Sequence, residues 1–458
     1  MKTIAMTVGP IVDTLTLGRK TSEIWAASYL FSKLMKETIA KLRDIDDVRF
    51  LVPYADNDAL FAPKDEGIGR FHDRFILQSD TLSLAEVRRT VDEVRDALAD
   101  GIAEAIEEDT ETVRAQLTDY IRCYLLETDE ALANPILDLS PRLDALELHT
   151  PPLPGGDEAL RKFLRRNVVL NSRLARESFG AKPSFASIPA IAAQENDKDL
   201  ENSEGFKNAY RYIAIVHADG DNLGEVLKNY GENPADFSKK LFDFGDKAAE
   251  TLEEFGAQTL FIGGDDLLFF APVLHKSGKT VFDLINDLSR DYAEAVGDRR
   301  TTLSFGVSVT YYKYPLYEAL ERSRNALFGK AKNRPGKNAV AVTVQKHSGQ
   351  SFAFTIGKQE AAYSAFTTLL ADILNGRSEI PHALQHKLDE LGPLFEAEHE
   401  GALANVFENF FNEEIHMKKF ADGLQNVRDL IEKTGTDTES RERVFAMLST
   451  IKLLRGDR

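Results

Sequence analysis

FIGGDDLLFF, residues 261–270, sets two glycines and two aspartates between apolar runs. The flanking TLF and LLFFAP segments read as buried strands, which makes GGDD the tip of a hairpin. Gly263 and Gly264 suit the positive φ of a tight turn and leave no side chain to block a substrate. Asp265 and Asp266 then project from the tip. Gly and Asp are also ordinary turn formers, so the hairpin alone decides little. A second cluster changes that. YIAIVHA (212–218) is a strand, and it ends directly on Asp219, Gly220, Asp221 and Asn222. If the hairpin lies beside this strand, Asp219 and Asp265 converge. Converging carboxylates repel unless a cation joins them. Magnesium (or manganese) suits such a group, because it takes one or two protein carboxylates, waters and phosphate oxygens. Two such ions clamp the attacking and leaving oxygens of a phosphoryl transfer. The residues after DGDN are expected to open a helix whose N-terminal amides favour an anion.

Around these clusters the order is strand, helix (Pro234–Phe255), hairpin, helix (Thr280–Val296), strand (302–312), helix (Leu316–Lys332), strand (338–344). That order suits one antiparallel or mixed sheet with helices on one face. In ALFGKAKNRPGKNAVAV (326–342), Lys330, Lys332, Arg334 and Lys337 collect before the last strand. They read as a phosphate-binding group, Lys332 foremost, or as lysines complementing a helix end.

The remainder is less specific. MKTIAMTVG (1–9), DVRFLVP (47–53) and DRFIL (73–77) read as strands, and Ser22–Leu42 as a helix with a broad apolar face. Ser83 to about Leu132 reads as charged helix, TPPLPGG (150–156) as a joint, and Asp157–Ser178 as a short helix. Residues 192–206 read as a polar loop, and Lys358–Leu454 carries helical periodicity only. The expected division is 1–150, 151–206, 207–345 and 346–458. The 458 residues carry a net charge of −18, a poor balance for gripping nucleic acid alone. A single cysteine, Cys123, excludes an intrachain disulfide and a four-cysteine zinc site. No apolar run approaches the roughly 18 residues of a membrane span, and the N-terminus lacks a signal-peptide pattern. The expected location is the cytoplasm, with no membrane partner.

The block 212–344 resembles the GGDEF/nucleotidyl-cyclase palm. With ADGDNLG (218–224), SFGVSV (304–309) and AKN…GKNAV (331–340), its GGDD is similar to the large polymerase-like subunit of type III CRISPR effector complexes, in the III-B branch. VGPIVDTLTLGRKTSEIWAASYLFSKL (8–34) looks like the opening of that family's first palm-like domain, and IGRFHDRFIL and KPSFASIPAI also fit. The resemblance covers roughly residues 1–80 and 180–345. It implies an α+β chain of two ferredoxin-like (nucleotidyl-cyclase/palm) domains with helical insertions and a C-terminal helical bundle. It implies an RNA-activated, magnesium-dependent nucleotidyltransferase that joins ATP into cyclic oligoadenylate, working with other CRISPR subunits, guide RNA and target RNA. Carried over, Asp219 and Asp265 hold the metals, and Asp266 is ligand or base. Gly263 and Gly264 admit the acceptor nucleotide. Lys332 touches the triphosphate, with Asp221, Asn222 and Lys330 as further nucleotide-binding residues. The rivals are a stand-alone GGDEF-type cyclase and an inactive scaffold subunit.

Many members of that family begin with an HD nuclease domain. This chain starts in the first palm-like domain, so DNase activity is expected to be absent, with His72-Asp73 a decoy. Some HD-less relatives join ATP to S-adenosylmethionine. In that case WAASYLF (25–31) and PYADNDALF (53–61) could line the second pocket, and Asp56 or Asp58 could bind a cationic group, although a solvated loop is the simpler reading. Trp25 reads as core. His217 reads as a packed histidine that alternates away from Asp219. NVFENFF (405–411) reads as core of the C-terminal helices.

Overall fold

In the computed structural model, two β-sheets are dressed with helices. The structure describes residues 1–61, 67–149, 153–179, 185–195, 207–230, 234–380, 418–435 and 437–456. The NVFENFF segment and residues 196–206 of the expected polar loop lie outside the described residues.

The first sheet has the order β2-β3-β1-β4 and all its pairings are antiparallel. Its strands are β1 (Lys2–Gly9), β2 (Arg49–Val52), β3 (Arg74–Ser79) and β4 (Arg122–Thr128). Helices α1 (Ile11–Leu15), α2 (Thr21–Arg43), α3 (Leu84–Ile106), α4 (Thr110–Tyr120) and α5 (Pro135–His149) accompany it. α2 is buried over most of its length. Trp25, Leu30, Phe31, Leu34 and Ile39 are nearly inaccessible, and Trp25 stacks on Tyr29 and packs at a tilt against Phe185. The tryptophan is core, as its helical spacing predicts. α3 starts on a capping box of Ser83 and Glu86. β4 corrects the expectation of helix through Leu132. It is an edge strand with only Cys123 fully buried, so it lacks the alternation that marks a half-buried strand.

Short helices α6 (Glu158–Phe163), α7 (Arg166–Asn171), α8 (Arg173–Phe179) and α9 (Ile188–Ala193) follow, in place of a single helix over 157–178.

The second sheet has six strands in the order β10-β9-β8-β5-β7-β6. They are β5 (Tyr212–Gly220), β6 (Gln258–Gly263), β7 (Asp266–Pro272), β8 (Leu303–Tyr311), β9 (Ala339–Gln345) and β10 (Ser351–Gly357). Among the described strands of this sheet only β8 and β9 run parallel, which makes the sheet mixed. β10 falls at the start of the 346–458 division, before the expected helical stretch from Lys358, where no strand is expected. As an edge strand its outer residues stay exposed, so no buried run announces it. The helices are α10 (Leu223–Leu227), α11 (Ala235–Glu254), α12 (Val281–Val296), α13 (Leu316–Ala326), α14 (Ala361–Leu374), α15 (Lys418–Thr434) and α16 (Thr438–Arg455).

The expectation of helices on one face is also corrected. Ala214, Val216 and Ala218 of β5 pack with Phe244 of α11 and Leu288 of α12 in one core. Ile213 and Ile215, on the opposite face, pack with Leu30 and Phe31 of α2 and with Leu320 of α13 in another. The second sheet is therefore sandwiched, and the first sheet's longest buried helix is part of its cover. A backbone bond crosses between the two halves, from Ile262 N–H to Gly69 O at 3.0 Å, reinforced by Arg70 with Asp246 at 3.3 Å. The tip of the GGDD hairpin is thus fixed relative to both halves of the molecule.

Candidate active site

Asp219 is the penultimate residue of β5, opposite Ser304 of β8. Asp265 lies in the turn of the β6–β7 hairpin, and β7 pairs with β5 from His217 to Leu268 and from Ala218 to Leu267. The register brings the two acidic clusters together as the sequence implies. The Gly220 N–H donates to Asp265 Oδ2 at 3.1 Å. A Cβ on Gly220 would stand 2.4 Å from that oxygen, so glycine is what lets the hairpin close on the strand end.

The hairpin glycines divide the work expected of both. Gly264 has φ of +71°. Gly263 has no positive φ, and its constraint is steric, because a Cβ there would meet the Phe261 ring at 2.1 Å.

Lys332 arrives from the far side. α13 runs on into one turn of π-helix, Leu327–Ala331, and Lys332 N–H bonds back to Leu327 O at 2.9 Å. Such bulges recur at functional sites. Gly306, the glycine of SFGVSV, admits it. A Cβ there would sit 2.1 Å from Ser323 O and 2.3 Å from Leu327 N. The Lys332 ammonium contacts Asp219 Oδ2 and Asp221 Oδ1, each at 3.0 Å. It also donates to Asp219 O at 2.8 Å and to Gly220 O.

Asp221 has another task than touching a nucleotide. It is fully buried, and its Oδ2 accepts from Thr302 Oγ1, Ser304 Oγ and the Asn338 N–H at 2.7, 2.8 and 2.9 Å. It ties the DGDN turn to β8 and to the loop before β9. Thr302, Ser304 and Asn338 are anchors that motif reading alone does not single out. Asn222 is exposed, with φ of +57°, and α10 after it has only five residues, so its dipole is small. Lys330 is exposed on the π turn.

The electrostatics are strained in one direction. Burial and the adjacent Asp219 push the Asp265 carboxyl up to about 7. Asp266, the first residue of β7, is solvent-accessible, and the protein packed around it together with the charges of Asp265, Asp219 and Asp73 pushes its carboxyl above the usual carboxylate range. One side of Asp266 remains open, on a cavity. Excess negative charge, hard oxygen donors and a lysine ammonium already drawn among carboxylates and carbonyls are what a hard divalent cation fits. The carboxylates converge without closing up. Among the described residues no three His, Cys, Asp or Glu side chains stand at metal-holding spacing.

The cavity holds about 540 Å³ between the two halves of the molecule. Ser28, Phe31 and Asp73 come from the first half, and His217, Asp266 and Arg324 from the second. WAASYLF therefore does line it, whereas Asp56 and Asp58 do not; Asp58 pairs with Arg43. His217 also needs correction. Residues i and i+2 of a strand share a face, so His217 lies on the side of Asp219 and borders the cavity. Burial, with the charge of Arg324, holds its imidazole down at about 3. His72 borders the same space, and its Nδ1 accepts from the Arg74 N–H at 3.2 Å.

Residues 212–341 match the family described as Cas10/Cmr2, second palm domain, and residues 3–113 match CRISPR-associated protein Cmr2, N-terminal. The chain is a type III Cas10-like protein. A Cmr2 subunit of the CRISPR Cmr system from Pyrococcus furiosus is 27% identical over 234 residues, which is 44% of this chain and 27% of the relative. The match thus spans about a quarter of the length of that curated relative. In fold, the chain is similar to one in a type III-B Cmr-beta complex bound to cognate target RNA, with a TM-score of 0.58 at 11% identity over 98% of this chain and 83% of the other. It is also similar to one in a Csm1–Csm4 cassette in complex with cA4, with a TM-score of 0.55 at 12% identity, over 99% and 70%. The two sheets are the palm domains of this Cas10-like fold, and the carboxylates stand at the edge of the second palm nearest the first.

Proposed function

We propose that the chain is the nucleotidyltransferase of a type III CRISPR ribonucleoprotein. It would make a nucleotide messenger from ATP once guide RNA has paired with target RNA. The observation that carries this reading is the meeting of Asp219 with Asp265 across the Gly220 N–H bond, beside a cavity walled by both palms.

Asp219, Asp265 and Asp266 are the residues that would hold magnesium or manganese. Such cations would neutralise the carboxylates and stabilise charge developing on the phosphoryl oxygens. The 3′-hydroxyl of an acceptor nucleotide in the cavity attacks the α-phosphorus of a second ATP. The new O–P bond forms as the bond to pyrophosphate breaks. Asp266, which borders the cavity, is ligand to the cation or, when it is not, the base that takes the hydroxyl proton. Asp221 acts indirectly, by fixing the turn that carries Asp219 and by anchoring Lys332. The Lys332 ammonium shields the carboxylates from one another until phosphate and cation arrive, after which Lys332 and exposed Lys330 serve the triphosphate. In-line positioning and electrostatics supply most of the acceleration.

Cyclic oligoadenylate is the first product to seek. An ATP–S-adenosylmethionine conjugate is the second, because Asp73 and Glu321 on the cavity wall suit a sulfonium or ammonium group. The test incubates the chain, alone and in its complex with guide and target RNA, with labelled ATP, with and without S-adenosylmethionine. RNA-dependent product, lost in Asp265→Ala plus Asp266→Ala with assembly intact, is expected. Activity of the isolated chain on GTP would instead assign a free-standing cyclase, and no product under any condition would assign a scaffold.

A further inference from the structure

His217 contributes a polarity to the cavity that its hydrogen bonding fixes. Its Nδ1 lies 2.8 Å from Ser323 Oγ. Ser323 has one hydroxyl proton, and it is directed at Leu320 O, 2.9 Å away. The imidazole nitrogen must then be the donor to Oγ, which leaves Nε2 as a bare acceptor. With Nδ1 turned onto buried Ser323, the ring edge left to the cavity is the one bearing Nε2. Arg324, the next residue of α13, presents the opposite polarity. Its guanidinium is donor-only, borders the same cavity, and lies 5.5 Å from the centre of the Phe328 ring. It has no hydrogen bond or ion pair among the described residues. Val12, Tyr317 and Phe328, exposed at 42%, 46% and 45%, form an apolar rim around this pair.

An acceptor beside a donor, under aromatic side chains, is a reader for one kind of base edge. On its N7 edge adenine offers the 6-amino donor next to the N7 acceptor, whereas a 6-oxopurine presents two acceptors there, N7 and O6. Placement agrees. His217 is two residues along β5 from Asp219 on the same face, roughly 7 Å, the scale of a nucleoside from sugar hydroxyl to base edge. We propose that His217 Nε2 and the Arg324 guanidinium read the adenine of the acceptor substrate, and reject 6-oxopurines. This rests on the nucleotidyltransferase reading for the identity of the acceptor, and it holds for either product, since ATP and S-adenosylmethionine both carry adenine.

The test uses nucleosides without phosphate, so that the cavity is probed apart from the phosphate site. Adenosine and inosine are titrated calorimetrically into the chain and into His217→Phe, His217→Gln and Arg324→Met. The chain is expected to bind adenosine about tenfold more tightly than inosine, the scale set by one unpaired buried polar group. His217→Phe should lose that factor for adenosine and leave inosine unchanged. His217→Gln, whose amide can turn either end to the base, should bind the two alike, and it keeps the test open should the phenylalanine variant fail to fold. Arg324→Met should weaken adenosine. Equal binding of the two nucleosides by the unaltered chain, no binding of either, or an adenosine preference that survives both His217 changes overturns the proposal. Failure of ATP synthesis with the nucleoside pattern intact would instead count against the nucleotidyltransferase reading alone.

Discussion

The backbone N–H of Gly220 and Oδ2 of Asp265 meet at 3.1 Å across 45 residues of chain. A methyl group at Gly220 would fall 2.4 Å from that oxygen and 2.9 Å from the Asp265 Cβ. Gly220 has no positive φ, so alanine suits its backbone and collides only with the carboxylate. Gly220→Ala is therefore expected to fold, at a cost of about 1 kcal/mol, and to lose at least roughly 100-fold in nucleotide synthesis through misplacement of Asp265. Thermal melts and single-turnover rates on one preparation check both halves. A variant of normal rate would mean that Asp265 does not need this position.

Lys332 is the cation shared by Asp219 and buried Asp221. Asp221 keeps three hydrogen bonds without it, but among the described residues its Oδ1 has no partner besides that ammonium. Lys332→Met should destabilise the chain by about 3 kcal/mol, as removal of one partner of a buried pair does. Magnesium should then raise the melting temperature of the variant more than that of the parent, because the carboxylates have lost their internal counter-charge. Equal magnesium responses in the two proteins would show that the ammonium and the metal do not share a site.

Gly306 explains how the lysine gets there. Its missing side chain is the space into which the π turn after α13 fits, with Ser323 O and Leu327 N at 2.1 and 2.3 Å from where a Cβ would be. These are backbone atoms, and neither can swing aside. Gly306→Ala should lift the π turn, draw Lys332 off the carboxylates, cost roughly 1–3 kcal/mol and remove synthesis. Gly329→Ala, on the same turn with nothing within 4 Å of its Cβ, should leave activity near normal. Denaturant titration and product assay of the pair decide it.

The convergence of Asp219 and Asp265 is legible in sequence because both sit at the ends of strongly apolar runs, YIAIVHA and FIGGDDLLFF, whose pairing the strand order implies. Trp25 is legible for the same reason, as one of a series of apolar residues at helical spacing. β4 and β10 are not. Each is an edge strand without a continuous buried run, β4 with a single buried residue and β10 with exposed or half-buried residues through its first half, so the run that marks a core strand is missing. The role of Asp221 is also hidden, since a carboxylate two residues from a site aspartate looks like a ligand until its donors are found far away in sequence, Ser304 on β8 and Asn338 in the loop before β9. The cavity and the place of His217 in it depend on the first palm lying over the second, a relation that no local pattern encodes. The i, i+2 rule alone, applied to 217 and 219, puts the histidine on the correct face.

Asp265 carries the pH dependence. Its carboxyl is raised from 3.8 to about 7 by burial and by Asp219. The folded chain therefore binds a proton that the unfolded chain has released, and the slope of stability against pH is negative between those values. Without divalent cation, this group lets the fold keep its full stability below about pH 4 and lowers it progressively as pH rises through 7. Asp265→Asn cannot ionise. It should match the parent near the acid end of that window, melt several degrees higher at pH 8, and gain nothing from magnesium. Protons and metal compete for the same oxygens, so magnesium should stabilise the parent more at pH 8 than at pH 6. Melting curves at pH 5, 6, 7 and 8, with and without magnesium, measure all of this. Parent and variant curves that run parallel across the window would mean that Asp265 is already ionised in the metal-free protein, and that its repulsion from Asp219 is relieved by Lys332 alone.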